Sequence, residues 1–175
     1  MRQVILYISC SIDGYIAQVN DDLSFLNIVA QEGEDYGYNS FISSVDTVIL
    51  GKRTYDWVTK ATGEYHHLDK ESYVITHREL PKEGNVHFYN GDISELIMSL
   101  KKKQGANIFC DGGAQIVHAL LNERLIDEVI ISFIPILLGG GIKLFNEGFP
   151  LQNLKLLSSK NYPSGLVQLH YSILK

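Results

Sequence analysis

The sequence predicts an α/β fold: a mostly parallel, mixed sheet with helices on both faces and a C-terminal antiparallel hairpin. Three observations predict it. Apolar runs of strand length alternate with segments of helical pattern through most of the chain, as expected of parallel strands joined by crossover helices. The last quarter changes character, with two strand-like runs flanking Pro163-Ser164-Gly165, a composition suited to a turn. Finally, no repeat, linker or low-complexity tract divides the 175 residues, a length that suits one domain with a real core.

In order along the chain, Val4 to Cys10 is an apolar strand. A helix is expected over Tyr36 to Val45, a strand over Thr47 to Leu50 and a helix over Arg53 to Thr59. Two short strands follow, Tyr73 to Thr76 and Val86 to Tyr89. Ser94 to Lys103 is helical because Ile93, Leu96, Ile97 and Leu100 recur at helical spacing, and Lys101, Lys102 and Lys103 suit the negative end of the helix dipole. Asn107 to Cys110 is a strand, Ala114 to Asn122 a helix and Ile126 to Ile134 a strand; Leu154 to Tyr162 and Leu166 to Leu174 form the hairpin.

Hydrophobic residues make up 45% and charged residues 20%, which excludes wholesale disorder. The net charge of −5 gives no general attraction for nucleic acid or anionic membrane, so any anion must meet a local cluster of cations. The N-terminal MRQVILYISC has too short an apolar run for a signal peptide, and Cys10 and Cys110 end apolar strands as small buried thiols would. A cytoplasmic protein is expected. His66-His67 suggests no third ligand by spacing, so no metal is expected.

Chemistry should gather where strands run into helix N-termini, which present free N–H groups. Three junctions qualify. Gly51-Lys52-Arg53-Thr54 supplies amides, a hydroxyl and two cations; Thr76-His77-Arg78 is polar and cationic directly after a strand. Asp111-Gly112-Gly113-Ala114, followed by Gln115, lets a ligand approach the backbone closely. Singly each also reads as a cap, a loop charge or a tight turn; together they suit a phosphorylated dinucleotide.

With these junctions the chain resembles the dihydrofolate reductase-like, three-layer fold, in the branch shared with the reductase domain of bifunctional riboflavin-biosynthesis proteins. The matching motifs run in order over nearly the full length. They are Ser11-Ile12-Asp13-Gly14-Tyr15-Ile16-Ala17, Gly51-Lys52-Arg53-Thr54, Gly112-Gly113, and Pro135 through Gly141 to Leu144-Phe145. The resemblance implies NADPH as cofactor. It places Lys52, Arg53 and Arg78 near the 2′-phosphate, with Thr76 and His77 beside them, and Gly51, Thr54 and the amides from Asp111 to Gln115 near the pyrophosphate. It further implies a cis Gly112-Gly113 peptide, and Ser9, Ile16 and Ala17 around the nicotinamide carboxamide.

For the acid, the resemblance leaves two candidates. Counting back from Gly51 puts Asp35 at the folate-family carboxylate, with Ser132 as its supporting hydroxyl; the riboflavin-type branch points instead to Asp13 near the reacting carbon. Asp35 also reads as a helix-start charge and Asp13 as an Asp-Gly turn. Phe25 and Leu26 could line the substrate pocket. Folate itself is poorly supported: Gly63 to Tyr73 lacks the arginine that grips the glutamate tail, and Asn39 replaces an aromatic residue. The expected activity is reduction of a small pterin-like or ribosylaminopyrimidine substrate, the alternatives being a true dihydrofolate reductase and a non-catalytic NADPH-binding module. A homodimer is expected, because the apolar run Ile126 to Ile134 and the following Ile136-Leu137-Leu138 would leave an exposed patch near the sheet edge. The resembling reductases are also dimers.

Overall fold

In chain order, this computed structural model, which describes residues 2–175, begins with β1 (Val4–Ser11), β2 (Tyr15–Ala17), α1 (Tyr38–Ser43), β3 (Val45–Gly51), α2 (Lys52–Thr62), β4 (Glu71–Ile75) and β5 (Val86–Tyr89). It continues with α3 (Ile93–Lys102), β6 (Asn107–Gly112), α4 (Ala114–Asn122), β7 (Glu128–Ile134), β8 (Ile142–Lys143), β9 (Leu154–Asn161) and β10 (Val167–Ile173). Eight strands form one sheet in the order β5-β4-β3-β6-β1-β7-β10-β9. Pairing is parallel from β5 to β7 and antiparallel from β7 through β10 to β9.

Period-two alternation divides the apolar residues between the faces. In β1, Val4 and Leu6 pack into the cluster that holds Leu96, Ile97 and Leu100 of α3 and Val117 and Leu120 of α4. Ile5, from the same strand, packs with Phe41 of α1, beside Tyr55 and Val58 of α2. In β6, Ile108 and Cys110 take the first face and Phe109 the second. Fully burying one such aliphatic side chain contributes ~1.5–3 kcal/mol, so these two clusters hold the helices to the sheet.

Local chemistry sets the element ends. The helix expected from Tyr36 is shorter, because Tyr36 (φ 54°) and Gly37 (φ 85°) adopt left-handed backbone that an α-helix cannot include. Gly63 at φ 84° stops α2. The strand expected from Ile126 starts at Glu128, since the Asp127 carboxylate accepts from the Val4 N–H (2.8 Å) and pairs with Lys101 and Lys175.

The expected apolar edge is corrected. β7 lies between β1 and β10, and Ile126, Val129, Ile131 and Ile134 are buried. The edge on this side of the sheet is β9, exposed at every residue, with Leu154, Leu156 and Leu157 each about half accessible. Sequence reading also omits the small β2–β8 pair and the 3-10 turns Val19–Asp21 and Ser24–Val29, which are too short to show a period. Among the described residues, no helix is long and apolar enough to cross a membrane.

Candidate active site

Parallel strands bring their carboxyl ends to one side of the sheet, and there β1, β3, β4 and β6 open into a cleft of about 1030 Å³. Ser9, Gly51, Thr76-His77 and Asp111 come from these strand ends, and the N-termini of α2 and α4 flank them. Helix starts leave N–H groups without intrahelical partners. At α3 the Asp92 carboxylate takes two of them, from Ser94 and Glu95, at 2.7 and 3.0 Å. At α2 and α4 no side chain of the capping residue does so. α1 also touches the cleft through Tyr38, but there the Asp35 carboxylate takes the Asn39 N–H, so α2 and α4 are the cleft helices whose starts can accept an anion.

Glycine is required at this junction for space. A Cβ on Gly51 would lie 3.3 Å from Ile116 Cγ1, and one on Gly113 would lie 3.2 Å from Thr54 Oγ1. The Gly113 N–H donates to Thr54 Oγ1 at 3.0 Å, tying the start of one helix to the other, and the Gly112-Gly113 peptide is cis.

Both cations at the start of α2 are engaged by carboxylates. Lys52 donates to Asp56 at 2.5 Å and stands over the rings of Tyr55 and Phe88, while Arg53 pairs with Asp21 at 2.7 Å. Asp111 differs: among the described residues nothing pairs with its carboxylate, and burial pushes it up to about 7. Burial also raises the phenols of Tyr38 and Tyr65, and the nearby Asp111 charge adds to both shifts.

Of the residues singled out in the sequence, the cleft wall brings together Ser9, Ile16, Ala17, Gly51, Lys52, Arg53, Thr54, Thr76, His77, Asp111, Gly113, Ala114, Gln115 and Leu26. Arg78 follows His77 as an exposed residue outside the wall, its N–H donating to Thr76 Oγ1 at 3.2 Å. Phe25 is buried in a separate cluster with Val29, Ile134 and Leu166, a core position.

The three expected catalytic side chains also lie off the wall. Asp35 is exposed and accepts from the N–H groups of Gly37 (2.8 Å) and Asn39 (3.0 Å), bonds that hold its carboxyl below the usual range; it is a helix-start residue. Asp13 accepts from Ser11 Oγ and from the N–H groups of Leu138 and Gly139, which lower it to about 2 and pin the glycine-rich segment to the end of β1. Ser132 is buried and accepts from Gln168 Nε2 at 3.1 Å. The same amide donates to Tyr7 Oη (3.2 Å), so Ser132 reaches the cleft only through Tyr7.

Tyr7, Tyr38, Trp57 and Asp21 line the cleft without having been flagged. A signal existed for Tyr7, which shares strand parity with Ser9; for Asp111, already singled out at the glycine junction, the structure adds the raised carboxyl. Tyr38 and Asp21 depend on left-handed turns that no periodicity announces.

The sequence model of the family described as the RibD C-terminal domain matches residues 2–168. The chain belongs to this family. The uncharacterized protein YwjB of Bacillus subtilis (strain 168) is 39% identical over 171 residues, covering 97% of each chain. The uncharacterized protein YyaP of the same organism is 28% identical, over 97% of this chain and 94% of its own. A solved structure from Shewanella sp. PV-4, provisionally named a riboflavin biosynthesis protein, superposes with TM-score 0.90 at 29% identity, covering 99% of each chain. A Thermotoga maritima protein named as diaminohydroxyphosphoribosylaminopyrimidine deaminase/5-amino-6-(5-phosphoribosylamino)uracil reductase shares the fold at TM-score 0.74 and 13% identity, over 99% of this chain and 57% of that one. The fold is thus the dihydrofolate reductase-like one of RibD reductase domains.

Proposed function

We propose that the whole chain acts as one NADPH-dependent reductase domain in the cytoplasm. Its substrate class would be the ribosylaminopyrimidines named for the Thermotoga maritima relative. One observation carries the reading: two helix starts free of side-chain caps converge on a cleft that also holds two cations and a raised carboxyl. That donor set fits a phosphorylated dinucleotide. Lys52 and Arg53, with Arg78 at the mouth, would take the 2′-phosphate; Thr54 and the amides of Ala114 and Gln115 would take the pyrophosphate. Ser9, Ile16 and Ala17 would hold the carboxamide. When bound, the cofactor supplies the hydride.

This chain's own part is orientation and a proton. Leu26, Tyr38 and Trp57 offer apolar and aromatic walls to a flat heterocycle. Asp111, with its carboxyl near 7, is about half protonated at neutral pH and is the acid of this proposal. Asp13 serves by fastening the glycine-rich segment, and Ser132 by setting Gln168 and Tyr7. The folate reading is weaker, since Asp35 caps a helix outside the cleft. The exposed leucines of β9, beside an apolar groove of about 410 Å³ lined by Val129, Ile131 and Leu169, favour a homodimer.

The test is to follow NADPH absorbance with the phosphoribosylaminopyrimidine present. Oxidation that needs both components is the expected result. NADPH binding without oxidation would reduce the protein to a binding module, and absence of binding would overturn the reading.

A further inference from the structure

Arg53 and Asp21 are 32 residues apart in sequence and meet across the cleft. Arg53 Nη2 donates to both Asp21 oxygens, at 2.7 and 2.8 Å, and Nε donates to Oδ2 at 3.1 Å. The pair is therefore forked, the geometry in which a guanidinium holds a carboxylate best. It is also reached at a conformational cost. Asn20 and Asp21 are consecutive non-glycine residues with left-handed backbone, at φ 64° and 60°.

The turn that carries them is closed on itself. The Gln18 N–H donates to the Asp22 carbonyl at 2.9 Å, Gln18 Nε2 donates to Asp22 Oδ2 at 2.9 Å, and the Ser24 N–H donates to Asp22 Oδ1 at 2.8 Å. Among the described residues, its only hydrogen bonds across the cleft are those from Arg53. Asp22, one residue on, is spent within the turn, while Asp21 is turned out of it onto the cation. Lys52, by contrast, meets Asp56 four residues along its own helix, a local pair that ties nothing together.

We propose that Asp21 is an internal competitor for the anion site: in the ligand-free protein its carboxylate occupies the Arg53 guanidinium, and an incoming phosphate group binds by displacing it and freeing the 18–24 turn. The inference rests on the proposed function, in which Arg53 takes a phosphate. Competition of this kind sets affinity and on-rate together, because every binding event first breaks the forked pair. A phosphate dianion replaces the lost contact in full, and a ligand without a charge there does not. Asp21 thereby adds to discrimination between phosphorylated and unphosphorylated dinucleotides.

Asp21→Asn is a suitable probe because Asn tolerates left-handed backbone as Asp does, so the turn can keep its shape while losing its charge. NADPH affinity is measured by titration for the parent, Asp21→Asn, Arg53→Ala and the double variant. The expected result is a gain of about two- to fivefold for Asp21→Asn, in the range of exposed ion pairs, that vanishes when Arg53 is absent. Hydrogen exchange without ligand gives an independent readout: Arg53→Ala should lower protection in the 18–24 turn while leaving β1 unchanged. If Asp21→Asn binds NADPH no better than the parent while Arg53→Ala binds worse, the competitor is overturned and the phosphate assignment stands. If the parent does not bind NADPH, or Arg53→Ala binds it as well as the parent does, the assignment itself fails and takes the proposal with it.

Discussion

Replacing Asp111 by Asn should make the protein more stable at neutral pH and above, and not at acid pH. In the folded chain burial lifts this carboxyl from an ordinary 3.8 to about 7. The folded state therefore holds a proton that the unfolded state has lost, and stability from this group is complete below about pH 4 and falls as pH rises to about 7. At about 1.36 kcal/mol per pH unit the gap corresponds to ~4 kcal/mol. Solvent reaching the half-buried side chain through the open cleft screens part of this, leaving about 2–4 kcal/mol. Asn keeps the shape and cannot ionise, so the variant should exceed the parent by that amount at about pH 8 and match it at about pH 4. Urea unfolding at the two pH values measures the difference. A gain of equal size at both, or none at about pH 8, would refute the assignment of an uncompensated buried carboxyl. The same variant should lose turnover, and parent turnover should decline as pH rises through about 7, because the protonated form is the competent one.

Arg53→Ala should weaken NADPH by about 1.5–3 kcal/mol and leave NADH nearly unchanged; equal loss for both in a titration would sink the 2′-phosphate assignment. Gly141→Ala should lower the urea midpoint by an amount equivalent to about 1–3 kcal/mol, since a Cβ there would run into the Ala17 carbonyl at a backbone φ of 128°. An unchanged midpoint would mean that the glycine-rich segment does not hold against β2. Asp35→Asn should keep both fold and turnover, because Asn also caps a helix start; a slow but folded variant would return the acid to Asp35. Light scattering should give twice the chain mass, and replacing Leu154 and Leu156 by Lys should halve it; a parent that is already monomeric would remove the dimer.

Strand positions and helix faces were legible because alternation in Val4–Leu6 and the spacing of Leu96, Ile97 and Leu100 are consequences of burial itself. The strand-end junctions were legible for a related reason: glycine and cations next to an apolar run have few other uses. Counting back to Asp35 assumes regular backbone across Gly33, Tyr36 and Gly37, and all three are left-handed, so Asp35 lies off the cleft wall. Asp13 was found as a conspicuous residue, yet its partners at Leu138 and Gly139 lie 125 and 126 residues away, beyond any local pattern. The apolar run at Ile126 reads as lying near an edge because sequence order does not reveal that the hairpin pairs beyond it.

The bond from Gln168 to Tyr7 spans 161 residues, and β1 pairs far along the chain as well, Val4 opposite Ile108 in β6 and Ile5 opposite Glu128 in β7. Such contacts repay their loop-closure entropy late. During synthesis β1 waits, apolar and unpaired, until β6 emerges, and the phenol of Tyr7, which donates to the Tyr36 carbonyl at 3.0 Å, gains the Gln168 amide only once β10 has left the ribosome. The cleft wall, whose residues run from Tyr7 to Asn146, is thus complete only after most of this sequence has been translated. A growing chain that has already closed its two helical layers would still be unable to grip a ligand.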